Sequence, residues 1–168
     1  MHYVFQNDIW IYFLMDYVRG GEMFSQILMH KRFPDSRVKF YAAQVALALG
    51  YLHSQSIIYW DLKPENILIY ESGYICLADF GLSRILNHDE VARTFVGTAE
   101  YLSPEIIQET GHHHGADWWA LGILLYEMAV GIPPFYHKNW SVMYKMILER
   151  PPRFPDRIKH GIDIAEPL

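Results

Sequence analysis

The sequence has a single cysteine, Cys76, in 168 residues, so no disulfide can form within the chain and no cysteine-based zinc site can be assembled. It therefore reads as an intracellular protein, cytoplasmic or nuclear, with Cys76 as a small core side chain. Cations are scarce as well. Fourteen Lys and Arg against nineteen Asp and Glu leave a net charge of 14 − 19 = −5, and no segment gathers the basic residues into a stripe. Nucleic acid is thus not an expected partner. Met1–Trp10 lacks a basic stretch followed by an apolar run, so no secretory signal is expected. No clean hydrophobic run of membrane-spanning length occurs either. Trp118–Phe135, the richest, is broken by Glu127 and by Pro133-Pro134. Repeats and Ser/Gly/Pro-rich linkers are missing too. What is present, 51% hydrophobic and 20% charged residues, is the composition of one folded unit.

Periodicity divides that unit into elements. Trp10–Tyr17 is aromatic and β-branched and runs into Gly20-Gly21, which predicts a strand closed by a turn. After Pro34-Asp35-Ser36, apolar residues at Val38, Tyr41, Val45, Leu49 and Leu52 share one helical face, and the helix should run to about His53. A short apolar piece follows at Ile57–Tyr59. Ile67–Tyr70 and Ile75–Ala78 then flank Glu71-Ser72-Gly73-Tyr74 and read as a β-hairpin. Asp117 opens a stretch to Val130 that is apolar nearly all round, as in a helix buried inside a domain, and Gly131-Ile132-Pro133-Pro134 ends it. Trp140, Met143, Tyr144, Ile147 and Leu148 form a second helical stripe, with Asn139 as its cap. The tail after Pro151 carries no period. The expected fold class is α+β, mainly helical, with small sheet elements.

The hairpin suggests chemistry. A four-residue loop would set Tyr70 opposite Ile75 and Ile67 opposite Ala78, making Asn66 and Asp79 cross-strand neighbours with Cα atoms on the order of 4.5–5.5 Å apart. Asp61 lies five residues before Asn66. Together the three supply hard oxygen ligands of the kind Mg2+ accepts, with water and phosphate oxygens completing its shell. Taken singly, each is an ordinary turn residue.

Taken in order, Asp61-Leu62-Lys63-Pro64-Glu65-Asn66 followed by Asp79-Phe80-Gly81 resembles the catalytic loop and metal-binding triplet of the eukaryotic protein kinases. Ser103-Pro104-Glu105 stands where that family has Ala-Pro-Glu, and Asp117-Trp118-Trp119-Ala120-Leu121-Gly122 resembles the helix that follows. Nearly every residue from Met1 to Pro155 is similar to a kinase position. Met15-Asp16-Tyr17-Val18-Arg19-Gly20-Gly21-Glu22-Met23-Phe24 resembles the hinge of the cyclic-nucleotide-dependent and protein-kinase-C-like (AGC) serine/threonine kinases. Gly97-Thr98-Ala99-Glu100-Tyr101 resembles their peptide-positioning loop, and Lys63 is a serine/threonine-type signature.

The resemblance implies ATP-dependent phosphorylation of serine or threonine in protein substrates, with ATP and Mg2+ as cofactors. A regulatory subunit or an upstream kinase would be a further partner. It implies that Asp61 accepts the proton of the substrate hydroxyl, that Lys63 neutralises charge on the γ-phosphoryl group, and that Thr98 hydrogen-bonds beside them. Asn66 and Asp79 would hold the metal ions. Backbone groups of Asp16 and Val18 would pair with adenine, Met15 would gate the pocket behind it, and Met23 and Leu68 would pack on the ring. Glu22 would meet the ribose or a basic substrate side chain, although it equally suits a helix's first turn. Glu65, beside the nucleotide site, and Glu127 resemble positions that meet basic residues upstream of the phosphoacceptor. Thr94 stands at the usual activation-loop phosphosite. Trp60, however, occupies the place of the Arg that binds such a phosphate, leaving Arg84 and Arg93 as the nearby cations. Control through Thr94 phosphorylation is therefore not expected. His112-His113-His114 reads as a solvated loop, since adjacent histidines do not converge on one ion.

No Gly-x-Gly-x-x-Gly loop and no Val-Ala-x-Lys strand occurs. The expectation is a partial kinase domain, with 1–18 as small-lobe strands and hinge and 19–168 as a large lobe lacking its last helices. Taken alone, it should transfer phosphate poorly or not at all. The competing expectation is a pseudokinase-like binding module, favoured by Trp60. A P-loop phosphotransferase would need a Gly-x-x-x-x-Gly-Lys-Ser/Thr run, which is missing.

Overall fold

A computed structural model describes residues 1–86 and 90–155. The chain opens with β1 (Tyr3–Gln6) and β2 (Ile11–Leu14), an antiparallel hairpin in register Tyr3 to Leu14 and Gln6 to Ile11. Its turn is shaped by Asn7, whose side-chain oxygen accepts from the backbone N–H of Ile9 (2.9 Å) and Trp10 (2.7 Å). The strand expected over 10–17 is thus shorter, and 15–18 continue as irregular chain.

Two helices follow, α1 (Met23–His30) and α2 (Asp35–Ser54). The α2 face is as its periodicity predicts, for Val38, Tyr41, Val45, Leu49 and Leu52 are all buried. Next come β3 (Ile57–Ile58), β4 (Ile67–Ile69), β5 (Ile75–Leu77) and β6 (Arg84–Ile85), with β3 pairing β6 and β4 pairing β5, both antiparallel. Three further helices follow among the described residues, α3 (Pro104–Ile107), α4 (Gly115–Val130) and α5 (Trp140–Glu149). Asn139 caps α5 by accepting from the Val142 N–H at 3.3 Å. Most of α4 is buried, with Gly115, Trp118 and Gly122 exposed. Among the described residues no helix is long and apolar enough to cross a membrane.

The main core joins Met23 and Ile27 of α1 and the α2 stripe to Ile67 of β4, Leu124 and Met128 of α4, and Met143 of α5. A second, smaller core of Ile58, Trp60, Leu86, Ala92, Leu102, Ile106 and Ala116 lies under the segment leading to α3. Cys76 on β5 is half-buried instead of a core residue.

Gly131 terminates α4 in the left-handed region (φ 100°), and its N–H donates to the Glu127 carbonyl at 2.7 Å. A Cβ there would stand 2.1 Å from the Lys31 carbonyl oxygen. Gly131→Ala meets both the φ penalty and a backbone collision, so it is expected to lower unfolding free energy by about 1–3 kcal/mol, read as a shift of the urea midpoint.

The β4–β5 register corrects the sequence expectation. The observed partners are Ile67 with Leu77, Leu68 with Cys76, and Ile69 with Ile75. The Tyr70 N–H donates to the Tyr74 carbonyl (2.8 Å), and Gly73, at φ 84°, donates to the Tyr70 carbonyl (2.9 Å). Only Glu71, Ser72 and Gly73 form the loop, because glycine in the left-handed region closes a three-residue turn. The pairing slides by one residue. Asn66 therefore sits opposite Ala78, whose N–H donates to the Asn66 carbonyl at 2.8 Å, and Asp79 lies one residue beyond the ladder.

Candidate active site

The segment after β3 carries Tyr59, Trp60 and Asp61, and its conformation is set from α4. Asp117, fully buried in the first turn of α4, accepts from the Tyr59 N–H (2.9 Å), the Trp60 N–H (2.8 Å) and His53 Nε2 (2.8 Å). These bonds hold Trp60 at φ 63°, a left-handed position that a bulky residue adopts only when its surroundings impose it. The chain thereby turns Asp61 toward Lys63 and Asn66.

Asp61 is buried and heavily solvated by protein donors. Its Oδ1 accepts from Thr98 Oγ1 at 2.9 Å and from Lys63 Nζ at 3.1 Å, and its Oδ2 lies 2.9 Å from Lys63 Nζ. Asn66 Nδ2 donates to Asp61 Oδ2 and to the Asp61 carbonyl, both at 2.8 Å. Lys63 Nζ also donates to Thr98 Oγ1 at 3.0 Å. A 3₁₀ turn at Pro64–Asn66 supplies the bend that returns Asn66 to Asp61, and Thr98 arrives from the residue preceding a second 3₁₀ turn, Ala99–Tyr101. The structure thus brings together Asp61, Lys63, Asn66 and Thr98.

Asp79 approaches by another route. The Tyr59 hydroxyl donates a short hydrogen bond to the Ala78 carbonyl, and the Phe80 ring meets Tyr59 edge-on with centroids 5.3 Å apart. Burial, followed by the charges of Asp61, Asp79 and Asp117, pushes the Tyr59 phenol far above its usual pKa, so it stays a donor. Asp79 itself is exposed, at φ 51°, with its carboxylate accepting from the Gly81 N–H at 3.0 Å. Both amide-nitrogen bonds of Asn66 go to Asp61, which leaves its carbonyl oxygen as the atom for a cation. Among the described residues no group of three or more His, Cys, Asp or Glu could hold a metal. One amide oxygen and one exposed carboxylate instead fit a hard cation that keeps water and phosphate oxygens, the habit of Mg2+.

On the hinge side, Met15, Asp16 and Glu22 are exposed and Val18 and Leu68 half-buried. The Asp16 carboxylate lies 2.9 Å from His2 Nε2, whose hydrogen bond holds its pKa below the usual range. Glu22 forms a bridge to Leu68, and the Ile69 N–H donates to the Gly21 carbonyl at 2.9 Å, so the hinge end is stitched to β4. Met23 is fully buried in the main core and presents no surface of its own. Thr94 is exposed and Glu65 half-buried.

Glu127 is buried and accepts a short hydrogen bond from the Tyr101 hydroxyl. Burial raises its pKa from 4.5 to about 7. Between about pH 4.5 and 7 the folded chain keeps a proton that the unfolded chain has released, so stability should fall as pH rises through this window and level off above it. Glu127→Gln is expected to flatten that slope, checked by urea unfolding at about pH 5 and about pH 8.

The histidine run differs from expectation. His112 is 2% exposed, its N–H and carbonyl pair with those of Ala92 (2.9 and 3.2 Å), and its ring packs against Trp60. It is a core residue, not part of a solvated loop. The His114 ring lies 4.4 Å from that of His53. Sequence reasoning also missed Asp117, His53, Tyr59 and Tyr101 as supports of the site. Asp117 did leave a signal, since an acid opening an otherwise apolar helix must find partners when buried.

A carboxylate shared by a lysine, an asparagine and a threonine from a separate segment, with a further aspartate beyond the hairpin, is the arrangement of a protein-kinase catalytic loop. The chain belongs to the protein kinase family, as the sequence model described as "Protein kinase domain" matches residues 1–163. It is 47% identical over 165 residues to the serine/threonine-protein kinase sgk-1 of Caenorhabditis elegans, covering 98% of this chain and 35% of the worm protein. It is 48% identical over 158 residues to Protein kinase 2 of Dictyostelium discoideum (94% of this chain, 33% of that protein). With the human serine/threonine-protein kinase Sgk1 it shares 47% identity over 152 residues (90% and 35%). Two of these three relatives are named as serine/threonine-protein kinases. The chain spans about a third of the length of the curated relatives it matches.

Proposed function

We propose that the protein carrying this sequence transfers the γ-phosphoryl group of ATP to serine or threonine hydroxyls of protein substrates. The observation that carries this reading is the Asp61 carboxylate held by Lys63, Asn66 and Thr98. Asp61 orients the substrate hydroxyl and accepts its proton. Lys63, 2.9 Å from Asp61, offsets negative charge as the phosphoryl group passes. Thr98 links the peptide-positioning loop to that carboxylate, so substrate placement and proton acceptance share one hydrogen-bond network. Asn66 and Asp79 would hold Mg2+, which when bound supplies charge neutralisation between the phosphates.

In this reading 1–18 form small-lobe strands and the hinge, and 19–168 the large lobe, of which 87–89 and 156–168 lie outside the described residues. Backbone groups of Asp16 and Val18 meet adenine, with Met15 behind it, Leu68 on the ring and Met23 beneath, and Glu22 faces the ribose or the substrate. Glu65 and Glu127 favour Arg or Lys upstream of the acceptor.

The test is γ-labelled ATP with Mg2+ and peptide arrays displaying Ser, Thr or Tyr. Label on Ser and Thr peptides is expected, weakened when upstream Arg and Lys are replaced. Undiminished labelling of the neutral peptides would remove the basic preference. Trp60, a neutral side chain directly before Asp61, favours a second reading as a nucleotide-binding module without turnover. ATP-dependent thermal stabilisation with no transfer would select it.

A further inference from the structure

We propose that the Trp60 indole and the His112 imidazole form an uncharged clamp that holds the Thr94-bearing segment against the catalytic loop, so that the segment is ordered without a phosphate on Thr94. The inference rests on the reading of that segment as an activation loop with Thr94 at its usual phosphosite.

Trp60 is fixed from below. Its N–H donates to Asp117 at 2.8 Å, and its side chain is buried in the smaller core with Ile58, Leu102 and Ala116. The His112 ring meets the indole edge-on, with centroids 5.1 Å apart and planes at 66°. His112 then grips the segment through its own backbone, in reciprocal bonds with Ala92 of 2.9 and 3.2 Å. Ala92 is buried in the same core, and Thr94 lies two residues further on, exposed. A continuous path of contacts therefore runs from Asp61's neighbour to the segment, and every side chain in it is neutral or apolar. Burial holds the His112 pKa below its usual value, which keeps the ring uncharged at neutral pH.

The chemistry of the clamp differs from that of a phosphate anchor. A phosphate adds about −1.5 to −2 charge and orders a loop only by meeting cations. Trp60 Nε1 is a single neutral donor, and it is buried without a hydrogen-bond partner among the described residues, as are both ring nitrogens of His112. The contact is thus ring packing alone. Arg84 and Arg93 are exposed and lie outside the clamp's core. His112 acts on Asp61 only through Trp60 and on Thr94 only through Ala92, which makes it a positioning residue.

Amide hydrogen exchange on the full chain, with unmodified Thr94 verified by mass, tests the clamp. Protected Ala92 and His112 amides are expected, unchanged in Thr94→Ala. His112→Ala should speed exchange over 91–93 by about tenfold while α2 amides stay protected, and His112→Phe should restore the slow rate. Trp60→Phe, which shortens the ring but keeps it apolar, should give an intermediate rate and provides a second variant should His112→Ala not fold. Exchange over 91–93 at the unprotected rate until Thr94 is phosphorylated would overturn the clamp, and so would a His112→Ala segment as protected as the original. The measurement needs no nucleotide. A protected segment in a protein that carries this sequence and never transfers phosphate would refute the proposed activity alone, and a transferring protein with an unprotected segment would refute the clamp alone.

Discussion

Asp61→Asn is expected to lower the phosphoryl-transfer rate of the protein carrying this sequence by about 10²–10⁴-fold, the range for loss of a positioned proton acceptor. The substitution is nearly isosteric, yet it removes more than a charge. Lys63, Thr98 and Asn66 all donate to the carboxylate, through both of its oxygens. An amide offers one oxygen, so its nitrogen must face at least one of these donors and the network opens on that side. Nucleotide-dependent thermal stabilisation should survive, because Asn66 and Asp79 remain. Initial rates of γ-phosphate transfer provide the measurement. A rate within about threefold of the original would show that Asp61 is not the acceptor.

Asp117→Ala is expected to be the most destabilising single change at the site. Asp117 is completely buried, and its two oxygens satisfy the N–H groups of Tyr59 and Trp60 as well as His53. Truncation orphans two buried donors at about 1–3 kcal/mol each and strips His53 of its partner, so a total loss of about 3–5 kcal/mol follows. Relief of burying the carboxylate offsets part of this. Against a whole-domain stability of about 5–15 kcal/mol, that loss places the variant near unfolding. Asp117→Asn keeps one acceptor and should fall between. Urea midpoints give the measurement, and an unchanged midpoint for the alanine variant would contradict the role given to this carboxylate.

The parts of the fold that could be read from the sequence are those whose signal is local. The α2 stripe needs only its own 3.6-residue period, and the observed burial of Val38, Tyr41, Val45, Leu49 and Leu52 follows from it. The hairpin of β4 and β5 was equally visible, but its register depended on whether Gly73 would take a left-handed conformation, and one residue of difference moved Asp79 out of the ladder. α1 left only the hint that Glu22 suits a helix start, because eight residues carry few turns of evidence. His112 shows the other limit. Three histidines between glycines look solvated, and only Trp60 and Ala92, far away in sequence, bury the first of them. At the site, the meeting of Asp61 with Thr98 spans 37 residues and Asp117 with His53 spans 64. No spacing rule reaches that far. The first was anticipated through kinship, and the second emerges only from the fold.

Tyr59 has a mechanical implication. Its amide is tied to Asp117 and its hydroxyl to the carbonyl just ahead of Asp79, so one rigid aromatic ring is a strut between two loops that the chain joins only through a hairpin. A shift of the Asp79 loop is transmitted to the backbone that carries Asp61, and the reverse holds too. In the proposed transfer, the end that would steady the donor phosphates and the end that would receive the acceptor hydroxyl are thereby kept in step by a single side chain.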